Sequence, residues 1–202
     1  MYFCIAMNNN KNTYSVIILA AGLSKRMGTP KFNLSFDKKN NFLTHIIYKY
    51  NDFNCNKIIV ILNNEGTEIL QQYPINYPEK TTIIENKFPE KGRFHSIKLG
   101  IEKAIDNCPV FIHNIDNPFV NHTVLKKMLT YYNPDYTVPV FSGKGGHPVL
   151  LSRHICMDIL HQERDDIILS DFLKKYNKIK VEVEDDKILV NINTKDDYNK
   201  YF

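Results

Sequence analysis

Apolar β-branched runs and amphipathic stretches take turns along this chain, and that alternation constrains its fold more than any other feature. The apolar runs fall at 15–20, 57–62, 81–85, 109–115 and 136–141, separated by amphipathic stretches near 41–53, 65–73, 94–106 and 121–132. In the last of these, Val124, Leu125, Met128 and Leu129 return to one side of a helix. Runs apolar along their whole length suit strands covered on both faces, as in a parallel sheet. The alternation predicts βαβ units with right-handed crossovers. The fold expected is therefore α/β: a single three-layer domain over 15–202 with a mostly parallel, Rossmann-like sheet. The end of the chain reads differently. Ile179 to Val183 and Lys187 to Ile192 predict an antiparallel hairpin turning at Asp185-Asp186, before a short helix at 194–201. Residues 1–14 read as an N-terminal extension, because Met1 to Met7 is apolar but short and has neither a cationic leader nor a cleavage site.

Composition narrows the class. A chain of 202 residues, 43% hydrophobic and 24% charged, can bury a full core without staples. No stretch approaches the roughly eighteen apolar residues that cross a bilayer. Cys4, Cys55, Cys108 and Cys156 are scattered singly, which points away from metal-ligand spacing and towards free thiols in a reducing cytoplasm. A net charge of +4 suits an anionic substrate, and it equally suits a lysine-rich composition with no functional meaning. No basic stripe interleaved with aromatics suggests nucleic acid.

The first apolar run ends in Leu19-Ala20-Ala21-Gly22-Leu23-Ser24-Lys25-Arg26-Met27-Gly28-Thr29-Pro30-Lys31. A loop leaving a buried parallel strand sits where open α/β sheets bind ligands. Ala20, Ala21 and Gly22 have almost no side chain, so a ligand can reach the backbone N–H donors. Arg26 and Lys31 then supply spaced cations. Small residues followed by cations suit a polyphosphate. The loop is neither a Walker A loop, lacking a closing Gly-Lys-Ser/Thr, nor a Gly-x-Gly-x-x-Gly fingerprint.

The segment resembles the Leu-Ala-Ala-Gly-x-Ser-x-Arg-Met-Gly-x-x-Lys signature of nucleotidyltransferases related to the molybdenum cofactor enzymes, the MobA/MocA-like group, and it fills every specified position. The resemblance implies a sheet of the nucleotide-diphospho-sugar transferase type. It also implies that Leu19, Ala20, Ala21 and Gly22 wrap a nucleoside triphosphate, with Arg26 and Lys31 on its phosphates.

Further segments match in order. Asn86, Gly92 and Ser96 have the spacing of the family's Asn-x5-Gly-x3-Ser segment, which contacts the nucleoside; Ser96 also falls in the first turns of a helix, where free N–H groups favour an anion. Arg93 and His95 lie beside it with no assigned role. Asp116-Asn117-Pro118 ends the fourth apolar run, where the family's Asp-x-Pro holds Mg²⁺; a helix cap is the competing reading of Asp116. Ile115 departs from the small residue usual there, and His113 and Asn114 are more polar than the family pattern. Gly146, His147 and Pro148, with Val149, resemble an acceptor-side segment of the cytidylyl-transferring branch, and Lys144 is a weaker candidate phosphate contact. Asn193, in Asn191-x-Asn193-Thr194, takes the place of a second metal ligand, and Thr194 is read as the N-cap of the final helix. Asp165-Asp166 matches nothing in the family and reads as a turn opening a helix.

The resemblance implies an acceptor phosphate attacking the α-phosphate of a nucleoside triphosphate, with Mg²⁺ as cofactor and pyrophosphate released. The guanylyl-transferring branch carries Leu-Ala-Gly-Gly where this chain has Leu-Ala-Ala-Gly; the Ala21 methyl narrows the base slot and favours cytidine triphosphate. The acceptor implied is a phosphorylated small molecule, a pterin of the molybdenum cofactor type, and the enzyme implied is a cytoplasmic monomer or weak homo-oligomer with neither nucleic acid nor membrane as partner. A sugar phosphate, phosphocholine or methylerythritol phosphate acceptor keeps the same chemistry. A non-catalytic nucleotide-binding protein is the alternative suggested by Asn193 and Ile115. A nucleotide-sugar glycosyltransferase would need an Asp-x-Asp at the sheet edge, which is absent.

Overall fold

The strand Ser15–Leu19 (β1) has every residue buried, and its side chains divide between two cores. Val16 and Ile18 enter one, Ile17 and Leu19 the other. The computed structural model of the chain describes residues 14–22, 27–73, 75–104, 109–132 and 135–202. After β1 come α1 (Phe42–Asp52), β2 (Lys57–Leu62), α2 (Asn64–Gln72), β3 (Thr81–Glu85), α3 (Arg93–Ala104), β4 (Val110–Asn114) and α4 (His122–Thr130). Then follow β5 (Tyr136–Phe141), β6 (Lys144–Gly145), β7 (Val149–Leu151), α5 (Arg153–Leu160), α6 (Leu169–Phe172), β8 (Lys178–Glu182) and α7 (Lys195–Tyr201). The five apolar runs are β1 to β5, within a residue at each end.

Among the described residues the sheet runs β3-β2-β1-β4-β7-β5-β6, with β8 also on β5. The pairs β3–β2, β2–β1, β1–β4 and β5–β8 are parallel. The pairs β4–β7, β7–β5 and β5–β6 are antiparallel. Phe42, Leu43, Ile46, Ile47 and Tyr50 of α1 join Val124, Leu125 and Met128 of α4 on one face. Phe94, Ile97 and Ile101 of α3 join Ile155 and Ile159 of α5 on the other. The three-layer expectation holds. Asn and Ser side chains start these helices: Asn41, Asn63, Asn121 and Ser152 each accept a first-turn N–H. Helix α3 lies against β1 because residue 100 has no side chain; a Cβ there would stand 2.5 Å from Ile17 Cγ2. Cys55 and Cys156 are buried free thiols.

The C-terminal hairpin is not formed. The first of its two runs is β8, parallel to β5, and the second is a 3-10 turn at Asp186–Leu189 followed by extended chain. Local capping decided this: the Asp185 carboxylate accepts from Lys187 N at 3.0 Å, winding the chain where a hairpin needs it extended. Ile188 and Ile192 are then both buried in the core beneath. The antiparallel addition to the sheet comes instead from β6 and β7. The Asp165-Asp166 pair does not open a helix directly. Asp165 binds Lys98 Nζ at 2.9 Å and His95 Nδ1 at 3.1 Å, fastening its loop to α3.

Candidate active site

Strands β1 and β4 lie side by side, with Leu19 opposite Asn114, and the chain leaves them towards opposite flanks of the sheet. Open α/β sheets bind ligands outside the carboxyl ends of strands at such a switch point. A cleft of about 240 Å³ lies there, lined by Leu19, Ala21, Gly22, Lys31, Gly92, Arg93, Ser96 and Asp116 among others.

Segments far apart in the chain meet beside it. Lys31 Nζ donates to Asn193 Oδ1 at 2.6 Å and stands 3.9 Å from Asp116 Oδ2. The backbone joins the same segments, since Ile192 N–H donates to the Asp116 carbonyl at 2.7 Å. A capping box at Thr194 and Asp197 fixes the chain just after Asn193, and the Asp197 carboxylate also accepts from Asn193 N at 2.9 Å. Asp116 Oδ1 is buried and, among the described residues, has no hydrogen-bond partner. The orphaned Asp116 oxygen fits Mg²⁺, which takes oxygen ligands and shares them with phosphates and water, and the Asn193 carbonyl oxygen meets the same Lys31 ammonium. No cluster of three acidic, His or Cys residues exists among the described residues, so the remaining ligands would have to be substrate and water. Helix α4 is capped by Asn121, which removes the capping reading of Asp116.

The sequence-derived residues fall into groups. Leu19, Ala21, Gly22, Lys31, Gly92, Ser96 and Asp116 line the cleft. Ala20 does not; its N–H continues the sheet to the Ile61 carbonyl at 2.9 Å. Asn86 is wholly buried, and it holds Ser96 Oγ at 2.9 Å through Nδ2 while its Oδ1 accepts from Phe88 N at 2.9 Å. It is not among the cleft-lining residues and stands behind Ser96. Gly92 turns the chain at φ +88°, a conformation that favours glycine. Arg26 lies outside the described residues. Gly146 and His147 line a larger adjoining pocket of about 600 Å³, walled by Phe94, Val138, Val149, Leu169 and Leu173; Pro148 is buried behind it, and Lys144 lies on the exposed β6 edge away from both cavities.

Sequence reasoning left Arg93 without a role. Its guanidinium donates to Asn114 Oδ1, and Asn114 Nδ2 stands 3.1 Å from His147 Nε2. Arginine can only donate, so it fixes the Asn114 amide with nitrogen towards His147 and requires a lone pair on that ring. Burial, helped by the Arg93 charge, pulls the His147 pKa down to about 4, against the opposing pull of Asp116, and keeps the ring neutral. Crowding by protein also lowers the Arg93 pKa, which Asp116 partly offsets. The polar residues interrupting β4 were the available signal. His113, the other one, is fully buried between Tyr50 Oη at 3.0 Å and the Asn117 carbonyl at 2.8 Å, and burial lowers its pKa to about 3.

The family model for the MobA-like NTP transferase domain matches residues 16–179. This chain belongs to that family. As a MobA-like protein it is a nucleotidyltransferase. It is 29% identical over 187 residues to molybdenum cofactor cytidylyltransferase of Escherichia coli (strain K12), covering 90% of this chain and 92% of that one. It is 33% identical over 121 residues to 2-C-methyl-D-erythritol 4-phosphate cytidylyltransferase of Clostridioides difficile (strain 630), covering 57% of this chain and 50% of that protein. Among solved structures, Rv0371c of Mycobacterium tuberculosis H37Rv superposes with a TM-score of 0.77 at 18% identity, covering 94% of this MobA-like chain and 97% of the other. A manganese complex of the same mycobacterial protein superposes with a TM-score of 0.70 at 14% identity, covering the same shares of the two chains.

Proposed function

We propose that this chain moves a cytidylyl group from cytidine triphosphate to the phosphate of a molybdopterin-type acceptor, with Mg²⁺ as cofactor, in the cytoplasm. The observation that carries the reading is the convergence of Lys31, Asp116 and Asn193 at the β1–β4 switch point, directly beside the small-residue loop after β1. An oxygen of the acceptor phosphate attacks the α-phosphorus; the bond from that phosphorus to the bridging oxygen breaks, and pyrophosphate leaves with the electron pair. The attacking oxygen is already anionic, so no strong base is needed. Rate comes from alignment and charge neutralisation. Lys31 neutralises charge on the triphosphate, Ser96 and the backbone of Leu19, Ala21 and Gly22 hold the nucleoside end, and Gly146 and His147 face the acceptor. Mg²⁺ held by Asp116 and Asn193 would supply a second positive charge for the phosphate oxygens.

Three observations favour cytidine and the pterin class. The Ala21 methyl lies at the cleft wall, where it takes space from a purine, and the long relative from Escherichia coli is a cytidylyltransferase. One methyl is worth about 1–3 kcal/mol of discrimination. The larger pocket, with apolar walls and a glycine edge, accommodates a planar body. Cytidylyl transfer to a sugar-alcohol phosphate is the second reading, supported by the match to the Clostridioides difficile enzyme. The test incubates purified protein with Mg²⁺ and all four triphosphates in competition, adding molybdopterin or methylerythritol phosphate, and follows pyrophosphate. Release dependent on CTP and molybdopterin supports the proposal. A guanine preference would refute the cytidylyl assignment, and release with methylerythritol phosphate alone would favour the second reading.

A further inference from the structure

Resting on the transferase reading, we propose that Arg93 is the specificity-determining residue that binds the acceptor's phosphate, with Asn114 and His147 as the positioning residues that aim it. Arg93 lines both the small cleft and the larger apolar pocket, so its guanidinium stands at the junction where an acceptor phosphate must meet the α-phosphate. It is exposed to solvent. Of its five donors one goes to Asn114, and among the described residues no other side chain accepts from it. The other cations around the larger pocket are engaged: Lys91 Nζ sits 4.8 Å over the Phe88 ring and 3.9 Å from Asp165, and Lys178 Nζ lies 5.8 Å over the Tyr136 ring.

Placement argues the same way. Arg93 is the first residue of α3, where the helix dipole disfavours a cation. An anion in the cleft turns that cost into a gain, because the free N–H groups of the helix start and the guanidinium then face the same charge. The Asn114 amide fixes one edge of the fork and leaves the remaining N–H groups for two phosphate oxygens, a geometry that lysine cannot reproduce. His147 completes the arrangement from behind by accepting from Asn114.

The test uses 1-naphthyl phosphate as an aryl monophosphate probe and 1-naphthol as its uncharged counterpart. Both are titrated calorimetrically into protein saturated with CTP and Mg²⁺. The parent is expected to bind the phosphate roughly tenfold or more tightly than the naphthol, as a charge-assisted bidentate contact implies. Arg93→Met should erase that preference and leave CTP affinity within about twofold, since Lys31 and the loop after β1 remain. Arg93→Lys should restore part of the preference, and Asn114→Leu should weaken phosphate binding without changing naphthol binding. A role confined to folding moves all ligands together and lowers the thermal midpoint. A preference untouched by Arg93→Met, or a loss of CTP binding with the naphthyl phosphate unaffected, overturns the proposal while sparing the transferase reading. A parent that binds no nucleoside triphosphate removes both.

Discussion

The side-chain amide of Asn117 donates to the Val190 carbonyl at 2.6 Å, and the carbonyls of Lys187 and Ile188 lie 3.0 and 3.4 Å from the same nitrogen. Asn117 is wholly buried, so one side chain at the end of β4 gathers the turn that leads to Asn193. Asn117→Leu keeps the volume and strands the Val190 carbonyl, whereas the Lys187 and Ile188 carbonyls keep the N–H groups of Val190 and His147. It is expected to cost about 1–3 kcal/mol of stability, the usual penalty for buried groups left unpaired. Transfer should fall further than nucleotide binding, because Asn193 loses its anchor. Urea midpoints and pyrophosphate release check this together; a variant as stable and active as the parent removes the anchoring role.

Lys31→Ala should slow transfer by roughly ten- to a hundredfold, the worth of about 1.5–3 kcal/mol of charge-assisted contact. Its bond to Asn193 and its pairing with Asp116 span the cleft and not the core, so the far-ultraviolet spectrum should not change. Arg26→Ala carries the same expectation from the loop sequence. Unchanged steady-state rates in both variants would take the loop after β1 out of the chemistry.

Asp116→Asn should nearly abolish transfer, by roughly a hundredfold or more, and should shift the Mg²⁺ titration to higher concentration. The amide keeps the shape but removes the negative charge of a carboxylate whose Oδ1 has no hydrogen-bond partner among the described residues. Superimposable metal titrations of variant and parent would put the metal elsewhere.

Acid should weaken the fold well above the carboxylate range. Burial lowers His113 to about 3 and His147 to about 4; His45, crowded by burial and by Lys49, also falls to about 4. The unfolded chain takes up these protons near 6.5, whereas the folded chain refuses them until far lower. Between those values the unfolded state holds more protons, so stability drops as pH falls. For the fully buried His113 the slope is about 1.4 kcal/mol per pH unit. Urea midpoints should decline steadily from pH 7 to pH 5, and a flat series would contradict the buried neutral rings.

The sheet core was legible because β1, β2 and β4 are apolar on both faces, a pattern that needs no distant information. The stretch after β8 was not. Alternating residues in Lys187 to Ile192 suggest a strand, but Asp185 caps the chain into a turn, and that preference acts only once Ile188 has a core to enter. The cleft was half legible. Motif residues Lys31 and Asp116 appear there as expected, while Arg93, Asn114 and His147 are separated by 21 and 33 positions and could be paired only by the fold. Asn86 shows the same limit: spacing marks a residue near a site, and only the fold shows that its amide holds Ser96 Oγ.

Lys31 and Asn193 are 162 positions apart, and their contact gives synthesis an order. A growing chain possesses its central strands and its phosphate loop long before residue 193 exists. Until the C-terminal stretch docks, with Phe202 stacked on Phe119 at 5.8 Å and Tyr198 Oη bonded to the Ser35 carbonyl at 2.8 Å, Lys31 has no Asn193 to meet. On the proposed reading, wholeness of the polypeptide is itself a condition of turnover, because the residue that meets Lys31 is among the last ten to be made.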